Sequence, residues 1–171
     1  MKKLYPTFAN SSNYRGLTQN VGRMTGKESD SLRIQVLERD GYKCSYCGYH
    51  ADEWQTVNYI DGDSSNNKKN NLTTACPMCN LILNASLGCQ IESIVELYKS
   101  SNYDQTKVVQ ITREMRSKGK GDAEIVRFLG LKLKVPYKMN KEYLKALFAF
   151  VTSWKGSYGD VEEGLTYGYS H

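Results

Sequence analysis

Residues 33–87 read RIQVLERDGYKCSYCGYHADEWQTVNYIDGDSSNNKKNNLTTACPMCNLILNASL, and this stretch decides the fold. Within it Cys44-Ser45-Tyr46-Cys47 and Cys76-Pro77-Met78-Cys79 are two CxxC pairs with 28 residues between them. A CxxC turn places two thiolates at adjacent corners of a tetrahedron about 2.3 Å from a zinc ion, and two such turns close a four-cysteine site. Four protein ligands leave no open position for water, so the expected Zn²⁺, one per chain, is structural: it holds the fold and takes no part in chemistry. The plainer reading is four reduced, buried cysteines that merely pack.

Working outward, Thr56-Val57-Asn58-Tyr59-Ile60 reads as a short strand that runs into the turn Asp61-Gly62-Asp63. Residues 64–71 are a polar loop, and Leu72 restarts the fold. Pro77 suits the first turn of a helix carrying Cys79, Leu81, Ile82 and Leu83 and ending near Gly88. Upstream, Asp30 is expected to cap a helix bearing Leu32, Val36 and Leu37 that stops before Asp40-Gly41. Downstream, Ile91, Ile94, Val95 and Tyr98 keep helical spacing, as do Val108, Ile111 and Met115. Asp122 is expected to cap a short helix with Ile125, Phe128 and Leu129, stopped by Gly130. Residues 132–138 form a basic connector containing Pro136. Asn140 is expected to cap a last helix whose Leu144, Leu147, Phe148, Val151 and Trp154 make one apolar stripe, most simply core.

Four segments follow: an extended arm over 1–27, a zinc module over 28–100, a basic helical extension over 101–155 and an acidic Gly/Tyr-rich tail over 156–171. The net charge of +5 is unevenly spread. Residues 1–43 carry eight Lys/Arg and four Asp/Glu, 44–100 carry three and six, 101–155 carry twelve and five, and 156–171 have three acids and no Lys or Arg. The module is therefore acidic and its flanks basic, whereas a module that clamps phosphates is normally basic itself. No apolar run approaches the ~20 residues that span a bilayer, so no membrane insertion is expected. The opening MKKLYPTFANSS lacks the apolar segment of a secretory signal. Four of the five cysteines stand in metal-like pairs, which suits a reducing compartment and a cytoplasmic location. Cys89 is left over as a small buried side chain.

The motifs VLERDGYKCSYCG, V-x-x-IDGD, N-x-x-NNL and a C-x-x-C at a helix start together resemble the HNH (His-Me finger, ββα-metal) endonuclease superfamily with its zinc-binding cysteines. The resemblance implies an α+β fold, with a ββα-metal zinc module followed by a C-terminal helical extension. It also implies where an active member keeps its chemistry: an acid or His and then a His at the end of the first strand, a His after the last cysteine, and an Asn before Leu. Here those positions hold Asn58, Tyr59, Asn80 and Asn71. The two histidines of the chain, His50 and His171, fall at none of them. A general base works best near the ambient pH, which His meets and Tyr, with a pKa of about 10, does not. Neutral amides at 58 and 80 replace the carboxylates that Mg²⁺ prefers. The expectation is a pseudo-nuclease without catalytic residues.

Among degenerate members, CSYCGYHADEWQTVNYIDGDSSNNKKNNLTTAC resembles the DotN (IcmJ) proteins of type IVB secretion systems, which implies a cytoplasmic adaptor bound to a coupling ATPase. Small zinc-HNH proteins of phages and mobile elements are the other natural home. Three functions follow. The first is a non-catalytic zinc scaffold that binds a protein as an adaptor or regulatory subunit. The second is a DNA-binding homing-type endonuclease relative or phage regulator using Lys118, Lys120, Arg127, Lys132, Lys134 and Lys138. In it 118–131 would supply the first helix and turn of a helix-turn-helix, although Pro136 interrupts the recognition helix expected next. A helical hairpin with a solvated basic face is the competing account of that segment. The third is an active nuclease with altered chemistry at Tyr59, Asp61, Asp63 and Asn71, against which Asp61 and Asp63 more simply cap their turn.

Overall fold

A computed structural model describes residues 1–8, 26–86, 88–89 and 94–153. Helix α1 (Gly26–Arg39) turns Val36 and Leu37 inward, at 1% and 4% exposure. It closes through Gly41, at φ +61°, with the Tyr42 N–H donating to the Leu37 carbonyl over 2.8 Å. Asp30 therefore lies inside this helix rather than at its cap.

Strands β1 (Thr56–Tyr59) and β2 (Leu72–Ala75) pair antiparallel, with Thr56 opposite Ala75 and Tyr59 opposite Leu72. Every residue of β2 is buried, because α1 packs against this ribbon. A 3₁₀ turn (Lys69–Asn71) leads into β2, and helix α2 (Pro77–Leu83) follows it. Pro77 occupies the first turn, where its missing N–H costs nothing. The Cys76 sulfur caps the same turn by accepting from the Cys79 N–H at 3.4 Å.

Beyond this point several sequence expectations are corrected. The segment expected to be helical through Val95 and Tyr98 is strand β3 (Val95–Ser100), the centre of a three-stranded antiparallel sheet. The basic connector is in part strand β4 (Lys132–Val135), on one side of β3. The second half of the expected last helix is strand β5 (Phe148–Val151), on the other side. Helix α3 (Gln105–Ser117) and helix α4 (Asp122–Leu129) lie between β3 and β4, and helix α5 (Lys141–Lys145) precedes β5. The C-terminal extension is thus mixed α and β, and the helix-turn-helix is not formed: after Gly130, at φ +66°, the chain enters β4. Short apolar runs fit a period of 3.6 or of 2 equally well, and pairing with β3 settled these toward strand. Trp154 and the tail lie outside the described residues, as does Ile91.

The cap expected at Asn140 is formed, accepting from the Tyr143 N–H at 3.0 Å, and Asp104, which the sequence did not single out, caps α3 in the same way through the Lys107 N–H at 2.8 Å. At α4 the N-cap is Gly121, and Asp122 instead accepts from Arg116 and from the Ser153 N–H, both at 2.8 Å.

One core joins both halves. The four cysteines, Tyr46, Leu81 and Ile82 pack with Ile94, Leu97, Val109, Leu144 and Leu147. Leu4 enters the same cluster, and residues 1–8 are held by bonds from Lys2 N–H to Ser45 O and from Ala85 N–H to Thr7 O, both 2.7 Å. A second cluster, Tyr98, Val108, Ile125, Leu129, Leu131 and Phe150, fills the space between the sheet and α3–α4. Gln105 clamps β5 from outside, accepting from the Ala149 N–H at 2.7 Å and donating to the Ala149 carbonyl at 2.9 Å. Among the described residues no helix is long and apolar enough to cross a membrane.

Candidate metal centre

The two knuckles arrive from different local structures. The first is a tight loop after α1: Cys44 N–H donates to Tyr49 O (2.8 Å) and Gly48 N–H to Cys44 O (2.9 Å), with Gly48 at φ +80°. The second is the junction of β2 with α2, where strand geometry ends at Ala75 and the helix starts at Pro77. The Ser45 N–H bond to Thr74 O, 2.9 Å, and the Ser45–Thr73 hydroxyl contact, 2.5 Å, sew the first loop onto β2. As a result Cys44, Cys47, Cys76 and Cys79 are all buried, and their sulfurs lie within 4.8 Å of one another.

A tetrahedral ion with metal–sulfur bonds of about 2.3 Å requires sulfurs about 3.8 Å apart. Cys47 and Cys76, one from each knuckle, stand 3.7 Å apart. The cluster therefore fits a tetrahedral metal ion, and an all-sulfur donor set is the one zinc takes in closed sites. Hydrogen bonding from Cys44, with Cys76 and Cys79 and the charge of Arg113 behind it, holds the Cys47 thiol below the ordinary thiol range. Burial drives the Cys76 thiol the other way. Cys89 stands outside the cluster, and burial raises its thiol to about 12.

The residue the sequence reading overlooked is Arg113, on α3. Its guanidinium donates to Cys76 Sγ at 3.1 Å and to Cys47 Sγ at 3.6 Å, and it lies over the Tyr49 ring at 3.9 Å from the centroid. Burial opposes its charge, but Cys76 and Cys47 outweigh that and raise its pKa above the ordinary arginine value. One turn earlier Gln110 donates to the Cys47 carbonyl at 2.9 Å. The only sequence signal was spacing: Gln110 and Arg113 stand at i and i+3, off the Val108–Ile111–Met115 stripe, and nothing local says what such a face meets.

The positions at which the resemblance puts catalysis are held by hydrogen bonds, between neutral groups at Asn58, Tyr59 and Asn80 and to a carboxylate at Asn71. Asn58 Oδ1 accepts from the hydroxyl of Tyr46 at 3.0 Å. Tyr59 donates to Asn67 Oδ1 at 3.0 Å. Asn80 Oδ1 accepts from Asn84 Nδ2 at 3.1 Å. Asn71 forms a reciprocal pair with Asp61, accepting from its N–H at 3.0 Å and donating to its Oδ1 at 2.9 Å. Asn71 also donates to Asn66 O at 2.9 Å. Asp61 and Asp63 do cap their turn: Asp63 N–H donates to Asp61 Oδ1 (2.8 Å), and Ser65 N–H to Asp63 Oδ1 (2.9 Å). Among the described residues the four cysteines are the only group of three or more His, Cys, Asp or Glu placed to hold a metal.

The six candidate cations are scattered over the end of α3, α4, β4 and the loop beyond. Three face acids on their own surface: Lys118 with Glu114 (2.9 Å), Lys120 with Glu124 (3.4 Å) and Lys134 with Glu96 (2.9 Å). Lys138 sits 5.1 Å from the Tyr143 ring centroid, while Arg127 and Lys132 are exposed.

No protein-family model matches the chain. Over 49 residues, 29% of its length, it is 42% identical to the type 4 apparatus protein DotN of Legionella pneumophila. Over 71 residues it is 34% identical to the CRISPR-associated endonuclease Cas9 of Actinomyces naeslundii. These matches span 23% of DotN and 6% of Cas9, so the chain corresponds to a small part of either relative. Both fit an HNH-like, DotN-resembling stretch.

Proposed function

We propose that this chain is an HNH-like zinc protein without nuclease activity that serves as a protein-binding adaptor or regulatory subunit. The observation that carries the reading is the neutral bonding of Asn58, Tyr59 and Asn80, which stand where an active member places metal ligands and a general base. A phenol acts as a base near neutral pH only beside a cation that lowers its pKa, and the Tyr59 hydroxyl is engaged by an amide oxygen instead. Cys44, Cys47, Cys76 and Cys79 would hold one Zn²⁺, which supplies folding energy and no open coordination position. The identity shared with DotN, a component of a type 4 apparatus, supports a protein partner and a cytoplasmic setting. DNA binding is the weaker reading, because three of the six cations offered for it already face carboxylates.

The test is metal analysis and a nicking assay on a single preparation. One zinc per chain, with supercoiled DNA left intact in Mg²⁺, Mn²⁺ and Ni²⁺, is the expected result. Divalent-dependent nicking by homogeneous protein overturns the inactive assignment, and absence of zinc overturns the metal assignment.

A further inference from the structure

Among the described residues, the charged side chain that meets the cysteine cluster, Arg113, comes from the other half of the fold. Four thiolates around Zn²⁺ leave roughly two uncompensated negative charges, and burying them without a partner is costly. Arg113 meets two of the four sulfurs, and they belong to different knuckles: Cys47 from the loop after α1 and Cys76 from the β2–α2 junction. Its planar fork offers both sulfurs donors in a fixed geometry, which the freely rotating ammonium of a lysine does not pre-arrange. Tyr49 lies over the guanidinium, and Gln110 fixes the same helix face to the Cys47 carbonyl.

We infer that Arg113 is a positioning residue of the metal centre, neutralising part of its charge and withdrawing electron density from the Cys47 and Cys76 sulfurs so that the ion is retained. A metal-bound thiolate is lost when a proton or another electrophile takes its sulfur lone pair, and a cationic donor already bonded to that sulfur slows the step. Outer-shell partners of this kind typically change metal affinity by 10–100-fold. The consequence is that α3, and with it the β4–β3–β5 sheet, is tied to metal occupancy through a charge contact as well as through the shared core.

This inference rests on the zinc assignment above, and the experiment separates the two. Full-length wild type is compared with Arg113→Gln, Arg113→Lys and the control Lys107→Gln, which removes the same charge from an exposed position of α3. Zinc transfer to a colorimetric chelator is timed, and the sulfur-to-cobalt charge-transfer bands of the Co²⁺-substituted proteins are recorded. Arg113→Gln should release zinc about 10–100-fold faster and move the bands to lower energy, because its thiolates are more electron-rich. Lys107→Gln should match wild type, and Arg113→Lys should fall between. Release at the wild-type rate by a folded, zinc-loaded Arg113→Gln overturns the inference and leaves the zinc assignment intact. Faster release with unmoved bands overturns it too, since Arg113 would then act by packing alone. Wild type without zinc overturns the assignment beneath both. Should Arg113→Gln fail to fold, Arg113→Lys decides: faster release supports the role, and the wild-type rate removes it.

Discussion

Two regions of the same ribbon have opposite electrostatic characters. The cysteine cluster, at the C-terminal end of β2, concentrates sulfur and answers it with the guanidinium of Arg113. The other end, where β1 passes into the loop before β2, joins side chains almost wholly by neutral amides and hydroxyls: Tyr46 to Asn58, Tyr59 to Asn67, and Asn71 to Asn66. Asp61 and Asp63 are the exceptions: the Asp61 carboxylate is taken up by Asn71, Asn66 and the Asp63 N–H, and that of Asp63 by the N–H and hydroxyl of Ser65. Metal chemistry needs unneutralised donors converging on an open position, and general-base chemistry needs a group that titrates near pH 7. The first region has converging donors but a closed set, while the second lacks both. This contrast is what the proposed reading, a scaffold that presents a shape, requires of the two regions.

The largest effect should come from breaking the first region. Cys47→Ser removes one of four donors, and structural zinc binding in small sites is worth on the order of 10 kcal/mol. That is comparable with the roughly 5–15 kcal/mol by which a whole domain is stable. The variant should lose both bound zinc and a cooperative thermal transition. Cys89→Ser, which changes a half-buried thiol outside the cluster, should keep both. If Cys47→Ser melts like wild type, the cysteines only pack and the contrast between the regions disappears.

The unequal legibility of the sequence follows from the same physics. The knuckles could be read because their information is local: CxxC spacing, Gly48 in the tight loop and Pro77 at the first helical turn are decided within a few residues of each other. The neutrality of the other end was legible for the same reason, as residue identity alone puts Asn58 and Tyr59 where the resemblance expects an acid or His and then a His. The second sheet was not. Val95 and Tyr98 satisfy a helical period, and only β4 and β5, contributed from up to 56 residues away, make 95–100 a strand. Phe148–Val151 continues the stripe of α5 in sequence but pairs with β3 in space. Arg113 was hidden more deeply, since its partners lie 66 and 37 residues upstream and a single arginine on a basic helix carries no local mark.

A medium effect is expected in the second region from Asn71→Ala. Asn71 is 8% exposed and its amide fills both sides of the loop closure, accepting from Asp61 N–H and donating to Asp61 Oδ1 and Asn66 O. Removing it leaves a donor and an acceptor without their partners, at a cost of about 1–3 kcal/mol. Urea unfolding should register that loss, and limited proteolysis should cut within 61–71 sooner, while zinc content stays at the wild-type level. Loss of zinc in Asn71→Ala would show that the two regions are one cooperative site and not two.

The smallest effect should come from Tyr59→Phe, and that smallness is what sharpens the comparison. The substitution deletes one half-buried hydroxyl whose partner, Asn67 Oδ1, lies in a loop where water can replace it. Its cost is therefore at most about 1 kcal/mol. On the proposed reading there is no DNA cleavage to lose, so the variant and wild type should behave alike in the nicking assay with each divalent ion. The alternative inverts the ranking. Had this end of the ribbon rebuilt its chemistry around the phenol, Tyr59→Phe would abolish turnover while leaving stability and zinc untouched, a pattern that neither Cys47→Ser nor Asn71→Ala can produce. The ratio of functional to structural damage at this one hydroxyl thus separates a ribbon end kept for shape from one refitted for catalysis.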